Sequence, residues 1–322
     1  MGDNMQWNKI CPSEVGIPEE KIEEFLNELG KHNVYLDCLM MISKGNVIYE
    51  NYFKDWNAEK NHRMYSVGKS FTAIAIGLLK EEGKISLEDS ICEYFMDKLP
   101  TEGVHPYIAD MKIKHLLTMT TAHKSTTYKR YDGDWVESFF CVEPEYNPGT
   151  IFSYDTSATH VLSALVARVS GKDLFTYLRE KVLDEIGFSK TATWDKDDAG
   201  IVRGGDGLSC TTRDLASVAT LCMNHGEYKG KQLIPKEYLD EMTSTLVSTA
   251  HYEAYDEQFG YGYQIWGNRD GGFTFYGIGG QLAACYPKHD FILVTNADLV
   301  ERSKDIKYIH QAFYDVIFPL LK

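Results

Sequence analysis

The chain has 322 residues, of which 43% are hydrophobic, so it can bury a sizeable core in one large domain or two closely joined ones. Its 33 basic and 47 acidic residues give a formal net charge of −14, which argues against a nucleic-acid or anionic-membrane partner, because both need a basic face. The N-terminus has no basic segment leading into an apolar run, and no stretch of about 18 apolar residues occurs. We therefore expect a soluble cytoplasmic protein.

The N-terminal part of the sequence predicts an amphipathic helix followed by a β-hairpin. Pro18 opens the helix, whose apolar residues recur at helical spacing before Gly30. Two strand-like runs, 34–42 and 47–53, flank the turn Ser43-Lys44-Gly45-Asn46.

The middle of the chain is mostly helical in pattern. Helices are predicted over residues 66–82, 113–119, 158–169 and 174–186. The segment 120–150 is long for a loop in a compact domain and carries six aromatic residues. It either walls a substrate pocket or packs on its own domain.

The C-terminal part returns to strands. The capping box Thr211-Thr212-Arg213-Asp214 begins a helix, and Pro235 begins another. Strand-like alternation follows at 260–266, 273–286 and 291–295, before a last helix. Strands at both ends with helices between them predict an α/β fold of the α+β type: residues 1–65 and 190–322 form an antiparallel sheet flanked by helices, and residues 66–189 form a mainly helical lobe.

Ser66 and Lys69 form the first candidate site, at the start of the predicted helix. Three residues apart, the two side chains share a helix face, so the amine can take the proton of the hydroxyl. The N–H of Ser66 belongs to the first turn and has no partner within the helix, so it is free to bind an oxyanion. The pair alone is weak support, because chance produces about one such pair in a chain of this composition.

Motifs for other chemistries are absent from the sequence. A phosphate loop ending at Gly68-Lys69-Ser70 would need its first glycine at position 63, which is Arg63. The glycine cluster at 277–280 fails the dinucleotide pattern because its last glycine would fall at Leu282. The seven cysteines are scattered and never spaced as Cys-x-x-Cys, so we interpret them as reduced core residues. We predict no metal and no cofactor.

Two further stretches qualify as candidate sites. Tyr154 immediately precedes a helix whose N-cap is Asp155 or Thr156. The glycines at 277, 279 and 280 interrupt a strand-like run, where glycine usually marks a bulge or the close approach of a backbone or ligand. Trp266 either lines a pocket rim or packs in the core.

Three motifs stand out in chain order: Ser66-Val67-Gly68-Lys69, Tyr154-Asp155-Thr156 and Tyr276-Gly277-Ile278-Gly279-Gly280-Gln281. Together they resemble the three motifs of the serine beta-lactamase and penicillin-binding-protein superfamily. More narrowly, the chain resembles the esterase-like, beta-lactamase-related branch of that superfamily. The resemblance implies a beta-lactamase/transpeptidase-like fold with the active site between an α/β lobe and an all-helical lobe. It implies that Ser66 is acylated, that Lys69 is its base and that Tyr154 passes the proton to the leaving group. The backbone N–H groups of Ser66 and Gln281 would form the oxyanion hole.

The resemblance also suggests which residues contact substrate and which substrates are disfavoured. The candidate contacts are Thr156, Trp266, Ile278, Gly279 and Gly280. Penicillin-recognising members carry Lys or His at the position of Ile278, and an isoleucine cannot hold a substrate carboxylate. The second motif ends in Thr156 where those members have asparagine, which removes an amide donor. Both departures point to a less anionic substrate.

From the sequence we therefore expect a serine hydrolase that cleaves a small ester or amide through an acyl-enzyme on Ser66. Two alternatives stay open: a penicillin-recognising or ligand-sensing module with slow or no turnover, and an acyltransferase using the same site. The proton route is also open, since either Lys69 is neutral or Tyr154 ionises beside a charged Lys69. The oligomeric state is not predicted.

Overall fold

The computed structural model describes residues 5–254 and 256–322, so residues 1–4 and Tyr255, all in the predicted sheet lobe, lie outside the described residues. The strands are β1 Leu36–Ser43, β2 Asn46–Tyr52, β3 His62–Arg63, β4 Thr193–Trp194, β5 Leu208–Cys210, β6 Glu227–Tyr228, β7 Lys231–Gln232, β8 Trp266–Gly267, β9 Phe273–Gly277, β10 Gln281–Tyr286 and β11 Phe291–Ala297. Six of them form an antiparallel sheet in the order β2-β1-β11-β10-β9-β8. The two chain ends therefore build one sheet, as the sequence predicted.

Most helices lie between the two groups of sheet strands. The α-helices are α1 Glu19–Lys31, α2 Gly68–Glu81, α3 Pro106–Ala109, α4 Ile113–Leu117, α5 Trp135–Cys141, α6 Thr156–Ser170, α7 Leu174–Leu178, α8 Thr212–Met223, α9 Lys236–Met242 and α10 Lys307–Ala312. Helices α7 and α10 continue as π-helical turns at Arg179–Leu183 and Phe313–Ile317. The 3₁₀ turns are Pro12–Val15, Tyr65–Val67, Ile91–Tyr94, Met96–Lys98, Thr127–Lys129, Pro287–His289, Val300–Ile306 and Phe318–Leu320.

The central strands are buried on both faces, which explains their nearly continuous apolar sequence. In β1, Leu39 and Met41 pack into a core with α1 and α10, whereas Met40 and Ile42 face a second, larger core. Helix α8 covers that second face, against β1, β10 and β11. The sheet is thus sandwiched between helices.

The stretch 273–286, predicted as one strand-like run, is two strands joined by a turn at Ile278-Gly279-Gly280. Both glycines have left-handed backbone angles, with φ of +92° and +93°. The alternation continues on either side of the turn, which hid the reversal from a pattern of period two. Of the stretch 260–266, only Trp266 enters a named strand.

In the helical part, α6 packs against α2, α4, α5 and α7. The capping box predicted for α8 is present: Thr211 Oγ1 accepts from the Asp214 N–H at 3.1 Å, and Asp214 Oδ2 accepts from the Thr211 N–H at 2.9 Å. The segment 120–150 contains α5, whose Phe139 and Phe140 are buried in the core. This segment packs on α6 and contributes aromatic rings to the fold.

All seven cysteines are free, and five of them are buried. Cys11 is exposed, so the interpretation of every cysteine as a core residue was wrong for this one. No helix in the described part of the chain combines the length and the apolar character needed to cross a membrane. Within residues 5–254 and 256–322, no group of three or more His, Cys, Asp or Glu side chains is arranged to hold a metal ion.

Candidate active site

Ser66 lies in the 3₁₀ turn Tyr65–Val67 that leads into α2. Tyr65, directly before it, has a left-handed backbone with φ of +48°, a strained conformation for a non-glycine residue. Strand β9 passes very close to this turn, because a Cβ added to Gly277 would come 2.3 Å from the Met64 carbonyl oxygen. Ser66 therefore lies where the start of helix α2 meets the end of strand β9.

Lys69 lies one helical turn further along α2 and reaches back to Ser66. Its Nζ donates to Ser66 Oγ at 3.1 Å and to the Gly205 carbonyl oxygen at 2.6 Å. A side chain would not fit at Gly205, because an added Cβ would lie 2.5 Å from Thr156 Cγ2 and 3.4 Å from Lys69 Nζ. Sequence reasoning did not assign Gly205 a role; its signal was the adjacent glycine pair 204–205.

The environment of Lys69 disfavours a positive charge. The side chain is only 1% exposed, and burial lowers the pKa of the amine to about 7, although the negative charges of Asp206 and Asp155 oppose this shift. A substantial fraction of Lys69 is therefore neutral near pH 7, with a lone pair available to take a proton.

Tyr154 is also close to Ser66, with which its side chain forms a hydrogen bond. It precedes α6, whose N-cap is Asp155, the first of the two predicted candidates, since Asp155 Oδ1 accepts from the Ser157 N–H at 2.8 Å. The Tyr154 ring centroid is 4.9 Å from Lys69 Nζ. Burial raises the pKa of Tyr154, although its hydrogen bond with Ser66 acts in the opposite direction. The phenol is thus protonated at neutral pH, and the three predicted catalytic side chains lie together.

Gln281 is the first residue of β10 and pairs with Gly277. Its side chain is buried, with Nε2 donating to the Ala297 carbonyl oxygen at 2.5 Å and Oε1 accepting from Asn296 Nδ2 at 2.8 Å. The amide group is therefore a structural tie to β11. The predicted catalytic role requires only the backbone N–H of Gln281.

A cavity of about 420 Å³ opens onto Ser66 and Tyr154. Trp266 and Ile278, two of the predicted substrate contacts, line it. The other three, Thr156, Gly279 and Gly280, lie outside its lining. The lining residues that sequence reasoning missed are Tyr252, Ala254, Glu257, Tyr276, Ser303, Lys304 and Ile306. A larger groove of about 850 Å³, alongside α4 and residues 246–251, contains none of the three catalytic candidates.

Aromatic rings build one wall of this cavity. The Trp266 ring stacks on Tyr154, with centroids 5.7 Å apart, and contacts Tyr252 and Tyr276 edge-on at 5.9 and 6.5 Å. Trp266 is only 5% exposed, so it both packs in the core and presents an edge to the cavity. The structure therefore places Trp266 both in the core and beside the cavity, and its contact with substrate stays a prediction.

The charged side chains of the lining come from segments that carry no motif. Glu257 and Lys304 are the two charged residues among the described ones that line the cavity. Glu257 follows α9 by fifteen residues, and Lys304 belongs to the 3₁₀ turn Val300–Ile306. No local pattern distinguished them from other surface charges.

Gln264 is a further residue whose importance the sequence did not indicate. Its carbonyl oxygen accepts from Ser70 Oγ at 2.7 Å, and its Oε1 accepts from Thr159 Oγ1 at 2.5 Å. Its Nε2 donates to the Leu116 carbonyl oxygen at 2.7 Å. One buried residue thereby joins α2, which carries Lys69, to α4 and α6.

Comparison with known proteins places this geometry in a family. The Beta-lactamase family model matches residues 22–312. The 6-aminohexanoate-dimer hydrolase of Paenarthrobacter ureafaciens is 26% identical over 282 aligned residues, covering 80% of this chain and 71% of that protein.

Solved structures show the same fold. The octameric penicillin-binding protein homologue from Pyrococcus abyssi superposes with a TM-score of 0.68 at 19% identity, covering 92% of this chain and 77% of that one. EstCE1, described as a hydrolase with promiscuous acyltransferase activity, gives a TM-score of 0.74 at 16% identity, covering 92% and 98%. The superfamily resemblance and the fold class predicted from the motifs are confirmed. Because the family model spans nearly the whole chain, this protein belongs to the beta-lactamase family.

Proposed function

We propose that this protein is a serine hydrolase that cleaves a small ester or amide through an acyl-enzyme on Ser66. The observation that carries the proposal is the 3.1 Å contact between Lys69 Nζ and the Oγ of Ser66, a residue that lines a cavity. An adjacent amine that is neutral at working pH is what activates a serine hydroxyl. The family membership supports the same reaction class.

Acylation would begin with transfer of the Ser66 proton to neutral Lys69. The Ser66 oxygen then bonds to the substrate carbonyl carbon, and the bond to the leaving alcohol or amine breaks. Tyr154, protonated and hydrogen-bonded to Ser66, donates its proton to the leaving group and recovers one from the Lys69 ammonium. The lowered pKa of Lys69 and the raised pKa of Tyr154 favour this route over one that starts from a tyrosinate.

Deacylation would use the same groups in reverse. Water loses a proton to the Lys69–Tyr154 pair, its oxygen bonds to the acyl carbon, and Ser66 leaves with a proton regained. The backbone N–H groups of Ser66 and Gln281 would stabilise the oxyanion in both halves of the reaction. A bound alcohol or amine in place of water would make the same site an acyltransferase.

The lining of the cavity indicates which substrates suit it. Ile278 is 38% exposed at the cavity and offers no charge to a carboxylate beside the reacting bond. A cavity of about 420 Å³ suits a small molecule rather than a polymer. A relative named for hydrolysing the dimer of 6-aminohexanoate, which is an amide, supports including amides in the substrate class.

The proposal is tested by labelling with a fluorophosphonate probe and by turnover of p-nitrophenyl esters. We expect the probe to attach to Ser66, as read by peptide mass spectrometry, and Ser66→Ala to lose both labelling and turnover. Ser303→Ala, which removes a hydroxyl from the same cavity, should still be labelled. Full turnover by Ser66→Ala would refute the proposal.

The same assay separates the alternatives. Stoichiometric acylation without product release would identify a ligand-sensing module, whereas many turnovers per protein molecule exclude it. Ester product formed in proportion to added methanol would measure the share of acyl transfer.

A further inference from the structure

The cavity beside Ser66 contains one carboxylate, that of Glu257, which forms no ion pair with a described residue. Glu257 is half-buried in the lining, and within residues 5–254 and 256–322 its side chain makes no hydrogen bond and no ion pair. Burial raises the pKa of this carboxyl group. The nearest acidic neighbour in sequence, Asp256, lies 3.3 Å from His310 Nε2.

Two other carboxylates with buried side chains are paired with basic side chains. Glu50 binds Arg213 through both oxygens, at 2.6 and 2.8 Å. Asp197 Oδ2 lies 2.8 Å from His160 Nε2. A carboxylate that is partly removed from water and lacks a counter-charge raises the free energy of the folded state. Glu257 is therefore maintained at some cost to stability, which a cationic ligand would offset.

The wall around Glu257 is suited to the same kind of ligand. The rings of Tyr154, Tyr252, Trp266 and Tyr276 line the cavity together with Glu257. Aromatic rings attract cations through their negative faces, most strongly where water is excluded. A carboxylate and four aromatic rings in one cavity are complementary to an organic ammonium group. The carboxylate and the negative ring faces disfavour an anionic substituent beside Glu257.

We propose that the cavity selects substrates that carry an ammonium group, held by Glu257 against the aromatic wall while the ester or amide carbonyl lies at Ser66. The role of the cavity as a substrate site rests on the proposed hydrolase function, but the binding of an ammonium ligand can be measured without turnover. Lys304 also lines the cavity but is exposed, and it forms no ion pair with Glu257.

The binding test compares two ligands that cannot be hydrolysed, 6-amino-1-hexanol and 1-hexanol, by calorimetric titration of the full-length protein. They share the alkyl chain and the hydroxyl group, and differ by one ammonium. We expect 6-amino-1-hexanol to bind about tenfold tighter or better. In Glu257→Gln this ratio should fall to about one, because the isosteric amide keeps the shape and removes the charge.

Glu253→Gln is the matched control, since it removes an exposed carboxylate from the same segment. It should keep the tenfold preference. Glu257→Asp keeps the charge and should retain a preference for the ammonium ligand, which distinguishes loss of charge from loss of folding. Equal binding of the two ligands by the wild-type protein would overturn the inference, as would equal losses in Glu257→Gln and Glu253→Gln.

The kinetic test uses the p-nitroanilides of 6-aminohexanoic and hexanoic acid. We expect the ratio of their kcat/KM values to favour the ammonium substrate by about tenfold and to fall in Glu257→Gln, mainly through KM. Turnover of both through Ser66 with a ratio near one would overturn the cation site and leave the hydrolase intact. Glu257-dependent binding of 6-amino-1-hexanol, with turnover unaffected by Ser66→Ala, would support the cation site and refute the hydrolase.

Discussion

The pH dependence of ester hydrolysis tests whether buried Lys69 is the base. Burial lowers the pKa of Lys69 to about 7, and only the neutral amine can accept the Ser66 proton. The kcat/KM for an activated ester should therefore rise with pH along a single ionisation near 7 and level off above it. At pH 5 only about 1% of Lys69 is neutral, so the rate should be about a hundredfold below the plateau.

The same ionisation has a consequence for stability. A fall in the pKa of Lys69 from 10.5 to about 7 corresponds to about 5 kcal/mol of free energy against the buried ammonium. Between these two pH values the unfolded chain binds more protons than the folded one, so the free energy of unfolding rises with pH across this window. Lys69→Met should abolish activity yet be about 2–3 kcal/mol more stable than wild type at pH 7, after subtraction of the lost hydrogen bonds. That advantage should shrink towards pH 10.

Two carboxylates near Lys69 provide a variant and a matched control for the dependence of kcat/KM on pH. Asp206 raises the pKa of Lys69, so Asp206→Asn should shift the rising limb to lower pH. Asp195→Asn removes a carboxylate that is 47% exposed and paired with Arg63. It should not change the pH at which kcat/KM rises. A profile that is flat from pH 5 to 9, or one that rises only where tyrosine ionises, would refute neutral Lys69 as the base and favour Tyr154.

Three other substitutions test the geometry. Gly205→Ala would place a methyl group 3.4 Å from Lys69 Nζ and only 2.5 Å from a neighbouring methyl carbon, so we expect kcat to fall about tenfold or more with a loss of about 1–3 kcal/mol in urea unfolding. Ile278→Lys should raise kcat/KM on a chromogenic cephalosporin, because it supplies a cation for the substrate carboxylate; unchanged rates would contradict our interpretation of this position. Arg213→Ala should cost about 3–4 kcal/mol in urea unfolding at pH 7, since the hydrogen bonds from Arg213 and Lys9 outweigh burial and hold the pKa of Glu50 at about 2. The difference from wild type should shrink as the pH falls from about 4.5 towards 2.

The sequence predicted the parts of the site that depend on local structure. Ser66 and Lys69 share a helix face because of their spacing, and Tyr154 is placed by the N-cap that follows it. The two-ended sheet followed from alternation at both ends of the chain. These features require only the periodicity of a single element and its ends, so a sequence pattern is sufficient to find them.

The remainder of the site depends on contacts between distant segments. Gly205 meets Lys69 across 136 positions of sequence, through a carbonyl oxygen that any residue type possesses. Glu257 and Lys304 reach the cavity from segments without regular periodicity. The aromatic segment 120–150 was a candidate for the wall of the substrate pocket, but its phenylalanines are buried in the core of the helical part. Composition identified an aromatic segment but did not distinguish a pocket wall from a packed helix.

The site also explains why a residue as ordinary in sequence as Gln264 is buried in an unfavourable backbone conformation. Its φ is +55°, and Tyr65, beside Ser66, has a φ of +48°; each such conformation costs about 1 kcal/mol or more in a non-glycine residue. Strain persists only where surrounding contacts determine the conformation, and the hydrogen bonds of Gln264 to α2, α4 and α6 provide that constraint. Because α2 carries Lys69 and α6 follows Tyr154, Gln264 joins the two helices that position the proposed base and proton shuttle. The buried amine of Lys69 and the strained backbones of Tyr65 and Gln264 each lower stability, and under our proposal this cost is retained for the reaction at Ser66.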